Sequence, residues 1–166
     1  MEENHIKDSF ETFFVRPSGL QYTIDQLPWI IIILIGLITA GTESCPYRKY
    51  IFYGVFVLLA YLYYRAFEFR RIAYIVTGEQ LIYQHGVFFH KSDYMELYRI
   101  VDYQESRTPM QQLTGLKNVT LLSGDRSLPK LTLRGIKRNM RIIDKVRTRV
   151  EYNKKRRGIY EITNRF

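Results

Sequence analysis

The sequence predicts an α+β protein in which a two-span transmembrane helical hairpin is followed by an antiparallel β-barrel or sandwich closed by a C-terminal amphipathic helix. Three observations predict this fold. Two apolar runs without charges occupy residues 29–40 and 51–64. Apolar residues then alternate with period two between 72 and 133, which is typical of half-buried strands, and a helical period returns from residue 136.

Each apolar run can form a membrane-spanning helix. The first contains four consecutive isoleucines and reaches about 16 residues with its flanks, whereas a hydrocarbon core of about 30 Å needs about 20. Tyr22–Gln26 at the headgroup level would supply the remainder, and the second run ends at Arg65, whose side chain can snorkel. Core helices of a soluble protein are the alternative, but they would show a polar stripe every three to four residues. We therefore expect a hairpin over residues 27–68.

The charge is distributed unevenly along the chain. Residues 1–27 carry a net charge of −3, whereas residues 67–166 contain 20 basic and 10 acidic side chains. Such a basic segment prefers an anionic partner, either nucleic acid or the negatively charged cytoplasmic leaflet, and beside a membrane hairpin we expect the leaflet. Five basic residues flank the hairpin on the side of the termini and two lie between its spans, which favours cytoplasmic N- and C-termini.

Two features of the hairpin bear on assembly. Gly36 and Ala40 have the small-xxx-small spacing that lets helices approach closely, so self-association through this face is one hypothesis; the other is that small residues are simply common in membrane helices. The single cysteine, Cys45, excludes an internal disulfide and a cysteine zinc site. Cys45 falls in the loop between the spans, and the two interpretations are a free thiol and an intermolecular disulfide.

The segments on both sides of the hairpin have different patterns. Residues 1–26 contain several aromatics and a break at Pro17, and they predict a short interfacial segment and turn. After the hairpin, strands are expected at 72–76, 81–83, 87–89, 118–122 and 130–133, with 94–103 as a strand pair or one bent strand. Glycine-containing turns separate these runs. Strands at this spacing indicate a small antiparallel sheet or barrel.

A basic amphipathic helix is expected from Ile136 to Gly158. Gly158 is the expected helix stop, and the residues of the expected apolar stripe are Ile136, Met140, Ile143, Val146 and Val150. The opposite face can contact anionic headgroups, at about 1 kcal/mol for each basic residue; the alternative is a solvated charged surface. The predicted membrane-surface or partner-binding residues are Lys137, Arg138, Arg141, Lys145, Arg149, Lys154, Lys155, Arg156 and Arg157.

Two short motifs carry a family resemblance. Arg99, Ile100 and Asp102 in one strand, followed by Leu113-x-Gly115-Leu116, resemble the second class of bacterial pleckstrin-homology (PH) domains, the membrane-anchored YdbS-like proteins. The resemblance implies a PH-like domain over 69–158, followed by a tail over 159–166, in a two-pass protein of the bacterial inner membrane. It supplies no catalytic residues. Gly115 is expected to adopt a backbone angle that other residues resist, and Arg99 and Asp102 to pair with neighbouring elements.

The sequence predicts no catalytic residues, cofactor or metal. His85 and His90 flank one turn, but two imidazoles without a third ligand make a weak metal site, and a solvated pair is the preferred interpretation. Neither a phosphate-binding Gly-Lys-Ser/Thr loop nor a Gly-x-Ser-x-Gly elbow occurs. An enzyme would need catalytic residues, and a transporter would need ionisable residues within the membrane spans. The sequence shows neither, so we rank both functions low.

These patterns predict a non-enzymatic scaffold or adaptor at the cytoplasmic membrane surface. Its expected partners are anionic lipid headgroups, a membrane or cytoplasmic protein, and a second copy of the chain. The alternative is a membrane-tethered nucleic-acid-binding protein, which would need exposed aromatic rings for base stacking. Tyr74, Tyr83, Phe89 and Tyr94 occupy alternating strand positions expected to face the core, so we rank this alternative lower.

Overall fold

The computed structural model describes residues 10–42 and 46–159. Cys45, the first nine residues and residues 160–166 lie outside this part, so their expected roles stay predictions. The α+β class is confirmed. The elements in chain order are β1 Phe13–Val15, α1 Gly19–Gly41, α2 Arg48–Arg70, β2 Ala73–Val76, β3 Gln80–His85, β4 Lys91–Glu96, a 3-10 turn Leu97–Arg99, β5 Ile100–Ser106, α3 Pro109–Thr114, β6 Leu116–Ser123, β7 Lys130–Lys137 and α4 Ile142–Arg156.

The strands form two antiparallel sheets, ordered β1-β2-β3-β4 and β5-β6-β7. The predicted sandwich is therefore confirmed, whereas the described strands do not close into a barrel. The segment predicted over 94–103 divides at the 3-10 turn, so that β4 and β5 belong to different sheets. The strand predicted at 87–89 is instead a bend between β3 and β4.

The core lies between the two sheets and α4. Alternate residues of the strands point inward and meet one apolar stripe of the helix, as period-two and helical patterns require. Removing these side chains from water is the main stabilising contribution to the domain. The fully buried core residues include Tyr74, Leu81, Leu97, Leu121, Leu133, Ile136, Ile142 and Val146.

The C-terminal helix begins at Ile142, six residues later than predicted. Strand β7 continues through Ile136, which pairs with Lys117 of β6 and is buried as a strand residue. Met140 is exposed in the turn that follows. Ladder hydrogen bonds to β6 thus override the helical spacing at Ile136, and Met140 falls outside both elements. The predicted stop is confirmed, because Gly158 follows the helix in the left-handed region at φ +67°.

The two helices of the hairpin are 23 residues each and are long and apolar enough to cross a membrane. Only 17% and 6% of their apolar windows are buried within the described chain, unlike core helices of soluble proteins. Gly36 faces Val55 of α2, and Ala40 is fully buried. Gly36 of this pair therefore packs the two helices of one chain together, and the role of the pair in self-association stays a prediction.

The hairpin is inserted between the first two strands of one sheet. Strand β1 precedes the hairpin and pairs with β2, which follows it, with Phe14 opposite Ile75. Residues 13–15, inside the predicted interfacial segment, complete a sheet, and the interfacial position of the segment stays a prediction. The first helix begins at Gly19, inside the predicted N-terminal segment, and its first two turns pack on the domain. The domain is thus covalently tied to the hairpin on both sides.

Candidate functional site

A buried polar network joins the hairpin to the domain. Gln111 of α3 is fully buried, and its Nε2 donates to Gln21 Oε1 of α1 at 2.7 Å and to Asn118 Oδ1 of β6 at 2.9 Å. Its own Oε1 accepts from the backbone N–H of Thr108, which completes a capping box at the start of α3. Ser18 N also donates to Gly135 O at 2.9 Å. These bonds fix the angle at which α1 leaves the domain.

Replacing Gln111 by leucine is expected to destabilise this junction by about 2 kcal/mol, because Gln21 and Asn118 lose a buried hydrogen-bond partner while the volume is kept. Hydrogen-exchange mass spectrometry of the full-length protein in mild detergent measures the change at peptides covering α3 and the start of α1. Gln112→Leu is the matched control, since Gln112 is exposed beside it, and is expected to change stability by less than about 0.5 kcal/mol. Equal protection in both variants would contradict a structural role for the network.

The predicted basic surface divides between two ends of the domain. We call the end that contacts the first turn of α1 the hairpin end, and the end formed by the β2–β3 turn the far end. Lys137 and Arg138 line a cavity with Ser18 and Leu20 at the hairpin end. Helix α4 then runs to the far end, where Asn153 Nδ2 donates to Gly78 O at 2.7 Å. Fifteen residues at helical rise separate the two groups by about 22 Å.

Three of the nine predicted residues belong to the hairpin end but not to the helix. Lys137 ends β7, Arg138 lies in the turn, and Arg141 precedes α4; all three are exposed. Lys154–Arg157 lie at the far end, where Arg156 pairs with Glu79 at 3.0 Å. The nine predicted residues therefore do not lie on one helix surface, and their contact with a membrane or a partner stays a prediction.

Arg149 is a structural residue instead of a surface cation. Its side chain is buried, Nη2 donates to Glu11 O at 2.7 Å, and its guanidinium stacks on Phe10 and Phe13 at 5.0 and 4.8 Å. Burial lowers the pKa of Arg149 from its usual value. Neighbouring Lys145 is exposed and contacts the Phe13 ring at 5.4 Å. Arg149 thus fastens β1 to α4.

The residues of the family motif hold turns. Arg99 pairs with Asp125 in the β6–β7 turn at 3.0 Å, and hydrogen bonds from Ser127, followed by Arg99, hold the pKa of Asp125 below its usual range. Asp102 accepts from the backbone N–H of Tyr103. The expected backbone angle of Gly115 is confirmed at φ +67°, where it ends α3. Ile100 is buried in the core.

Of the four aromatic residues predicted to face the core, one is buried, one is half-buried and two are exposed. Tyr74 is buried, and burial raises its pKa to about 12; Tyr83 stacks on it at 5.2 Å and is half-buried. The prediction is wrong for the other two, because Phe89 is 88% and Tyr94 55% exposed. Phe89 lies in the β3–β4 bend, and its neighbour Phe88 stacks against Tyr64 of α2.

A cationic cavity of about 550 Å³ lies between the base of the hairpin and the β3–β4 bend. Sequence reasoning missed it, because its residues come from three separate segments. Within the described residues no group of three metal-ligating side chains forms, and His85 Nδ1 lies 3.9 Å from Asp93 Oδ2. The basic and imidazole side chains that line this cavity are Arg16, Arg70, Arg71, His85, His90 and Lys91.

A second cavity, of about 520 Å³, lies between β5 and α4. Strand β5 is the edge of its sheet, and Val101 on it is 63% exposed. Arg147 and Lys155 of α4 line the opposite wall. An edge strand beside such a groove can accept an added strand from a peptide.

Two antiparallel sheets closed by a C-terminal helix define a PH-like domain. The chain belongs to the bacterial PH domain family, whose model, described as Bacterial PH domain, matches residues 15–150. The match begins at Val15, the last residue of β1, includes both hairpin helices and ends within α4, so it covers the inserted hairpin and most of the domain. The YdbS-like subclass stays a prediction. Searches among curated proteins and solved structures gave no significant match.

Proposed function

We propose that this protein is a non-enzymatic adaptor of the bacterial inner membrane, anchored by its two-pass hairpin and with its PH-like domain in the cytoplasm. The observation that carries the proposal is the insertion of two exposed apolar helices between paired strands β1 and β2. A hairpin joined to a domain by two chain connections and a buried network holds that domain at a fixed height and angle. Such fixed presentation is useful for a binding module and has no need of a catalytic group.

The two ends of the domain then have different roles. The hairpin end carries Lys137, Arg138 and Arg141, which are placed to contact anionic headgroups, because each basic residue at an anionic surface contributes about 1 kcal/mol. The far end and the β5–α4 groove face away from the hairpin and are accessible to a protein partner. Tethering raises the effective concentration of lipid, so weak contacts at the hairpin end are sufficient.

Labelling of cysteines tests the orientation. We expect Cys45, in the loop between the helices, to react with a membrane-impermeant maleimide on intact spheroplasts. In a Cys45→Ser protein carrying Arg126→Cys in the exposed β6–β7 turn, labelling is expected only after the membrane is opened. The reverse pattern would show that the domain is external. Protection of both positions until opening would show that the hairpin does not cross the bilayer.

Co-purification of the full-length protein in mild detergent tests the adaptor role. A stoichiometric second protein, lost when Val101→Asp charges the exposed β5 edge, is the expected result. Glu151→Lys, on the opposite wall of the same groove, tests whether α4 also contacts the second protein. A homo-oligomer that survives both substitutions, with no second protein, would instead favour self-assembly by another surface.

One observation favours the nucleic-acid alternative, which is that Phe89 and Tyr94 are exposed, as base stacking requires. Phe88, however, rests on Tyr64 of the hairpin, so the bend lies beside the apolar helices and not along an open groove. Titration of a fluorescent oligonucleotide into the full-length protein separates the two functions. Nanomolar binding that weakens steeply with salt supports nucleic acid, and millimolar binding rejects it.

A further inference from the structure

We propose that residues 160–163 of this chain lie in the β5–α4 groove and pair with β5 as an added strand, so that a protein partner must displace them to bind there. These residues directly follow Ile159, the last residue that the structure describes. The pairing is argued from the geometry of α4 and β5. The displacement rests in addition on the proposed adaptor role.

The end of α4 turns the chain back toward β5. Gly158 has φ +67°, and Ile159 N donates to Lys154 O at 3.0 Å, which is the long bond of a Schellman turn. Arg157 lies over the Tyr98 ring at 4.0 Å, two residues before β5 begins. Ile159 is therefore already a lining residue of the groove, and the chain that follows it starts there.

Strand β5 has a free edge along this groove. In the sheet order β5-β6-β7, β6 pairs with one side of β5, and no other strand of the described chain pairs with the other side. The backbone groups of such an edge can bond to a further extended segment. The α4 wall from Arg147 to Lys155 is about 12 Å long at helical rise. Four extended residues span about 13 Å, which matches this wall.

The direction of the added strand follows from how α4 lies against β5. The helix ends beside the start of β5, whereas Arg147, nearer its beginning, stacks on Tyr103 further along the strand at 5.5 Å. Because the chain reverses at Gly158, the residues after it run with β5 in a parallel pair, with Ile159 at the level of Val101. Parallel pairing needs a connection of a dozen or more residues, and β6, β7 and α4 supply it.

The groove and the 160–163 segment have complementary chemistry. Val101 and Ile159 are 63% and 42% exposed within the described chain, and covering them removes apolar surface from water. The segment reads Tyr-Glu-Ile-Thr, in which three residues favour strands. The excess of one positive charge in the groove is complementary to the carboxylate of Glu161. The charged side chains that line the groove are Arg147, Lys154 and Lys155, against Asp102 and Glu151.

Titration of a fluorescent peptide of residues 158–166 into detergent-solubilised protein that lacks residues 160–166 tests the site. We expect the peptide to bind this truncated protein, and a peptide of the same composition in scrambled order not to bind. A tethered segment has an effective concentration of about 1 mM. A peptide with a Kd of about 100 μM for the truncated protein is therefore expected to bind the full-length protein about tenfold more weakly, because the chain's own segment competes.

Substitutions at two free strand edges locate the bound peptide. Val101→Asp in the truncated protein is expected to abolish binding. Tyr94→Asp charges an exposed residue of β4, the edge of the other sheet, and is expected to leave binding unchanged. Equal affinity for truncated and full-length protein, or binding to neither, overturns the proposal. So does an equal loss of binding in the two variants.

The displacement of the segment has a separate readout. Deleting residues 160–166 is expected to raise the amount of second protein that co-purifies, because the groove no longer has an internal competitor. An unchanged amount would overturn the displacement while the titration still decides the pairing. Since the titration needs no second protein, failure of the adaptor role and failure of the pairing give different results.

A disulfide in the full-length protein gives an independent measurement. The parallel register places Ile162 beside Gln104, which is exposed on β5. In the Cys45→Ser protein, Ile162→Cys with Gln104→Cys is expected to form an intramolecular disulfide on mild oxidation. Ile162→Cys with Arg134→Cys, on the opposite edge strand β7, is expected to form none. A disulfide-linked dimer, or equal linkage in both variants, would contradict pairing within one chain.

Discussion

Replacing Gly135 by alanine is expected to displace α1 from the domain and to destabilise the junction by about 3 kcal/mol. Gly135 has φ +61°, which is unfavourable for alanine, and the added Cβ would overlap the Cβ of Gln21 and lie 2.7 Å from its Cγ. Because Gln21 Cβ is fixed to the α1 backbone, the helix itself must move. The bond from Ser18 N to Gly135 O would then lengthen and break.

Hydrogen exchange of the full-length protein in detergent measures this effect at peptides covering residues 19–26 and 130–137. Gly115→Ala is the matched control, because Gly115 has nearly the same angle, φ +67°, and an added Cβ atom there would meet nothing within 4 Å. It is expected to cost only the conformational penalty of about 1 kcal/mol. Equal losses of protection in the two variants would show that the domain accommodates the methyl group without moving the hairpin.

The repetitive parts of this fold can be predicted from the sequence. Apolar runs without charges indicate the hairpin, and period-two alternation indicates β2, β3, β6 and β7, because both patterns record which faces are buried. The turn glycines are equally predictable, as Gly115 and Gly158 show with their positive φ values. These signals are local, because each pattern is complete within the residues of one segment.

The parts that the sequence does not show depend on contacts far apart in the chain. Strand β1 has three residues, too few for a periodic signal, and its partner β2 begins about 60 residues later. The bond between Gln21 and Gln111 joins residues 90 apart. The cationic cavity likewise collects Arg16, Arg71 and Lys91 from three segments. Only the fold brings these residues together.

The basic helix predicted from the sequence is too long because Ile136 and Met140 happen to fit a helical stripe. Pairing of Ile136 with Lys117 decides in favour of the strand, and the charges of 137–141 therefore belong to the hairpin end. A run of basic residues also does not show which of its side chains are buried in the folded domain. Nothing in the sequence distinguishes Arg149, which is buried, from Arg147, which is exposed on the same helix.

Replacing Arg149 by alanine is expected to release β1 from the domain, with a loss of about 3 kcal/mol in the free energy of opening at residues 10–15. The substitution removes a charged hydrogen bond to Glu11 O, the packing on two aromatic rings and the alkyl stem that covers them. Since β1 is an edge strand of three residues, its pairing with β2 is too short to replace these contacts. Hydrogen exchange at the N-terminal peptide of the full-length protein is the measurement.

Arg147→Ala removes the same side chain from the same helix and serves as the control. Arg147 is exposed and stacks on Tyr103 at 5.5 Å, a contact worth about 0.5–1 kcal/mol at such a site. If Arg149→Ala left the N-terminal peptide as protected as Arg147→Ala does, strand pairing alone would hold β1. If instead protection falls only in Arg149→Ala, one buried arginine closes the sheet around the inserted hairpin, and the fixed angle of the proposed membrane anchor depends on it.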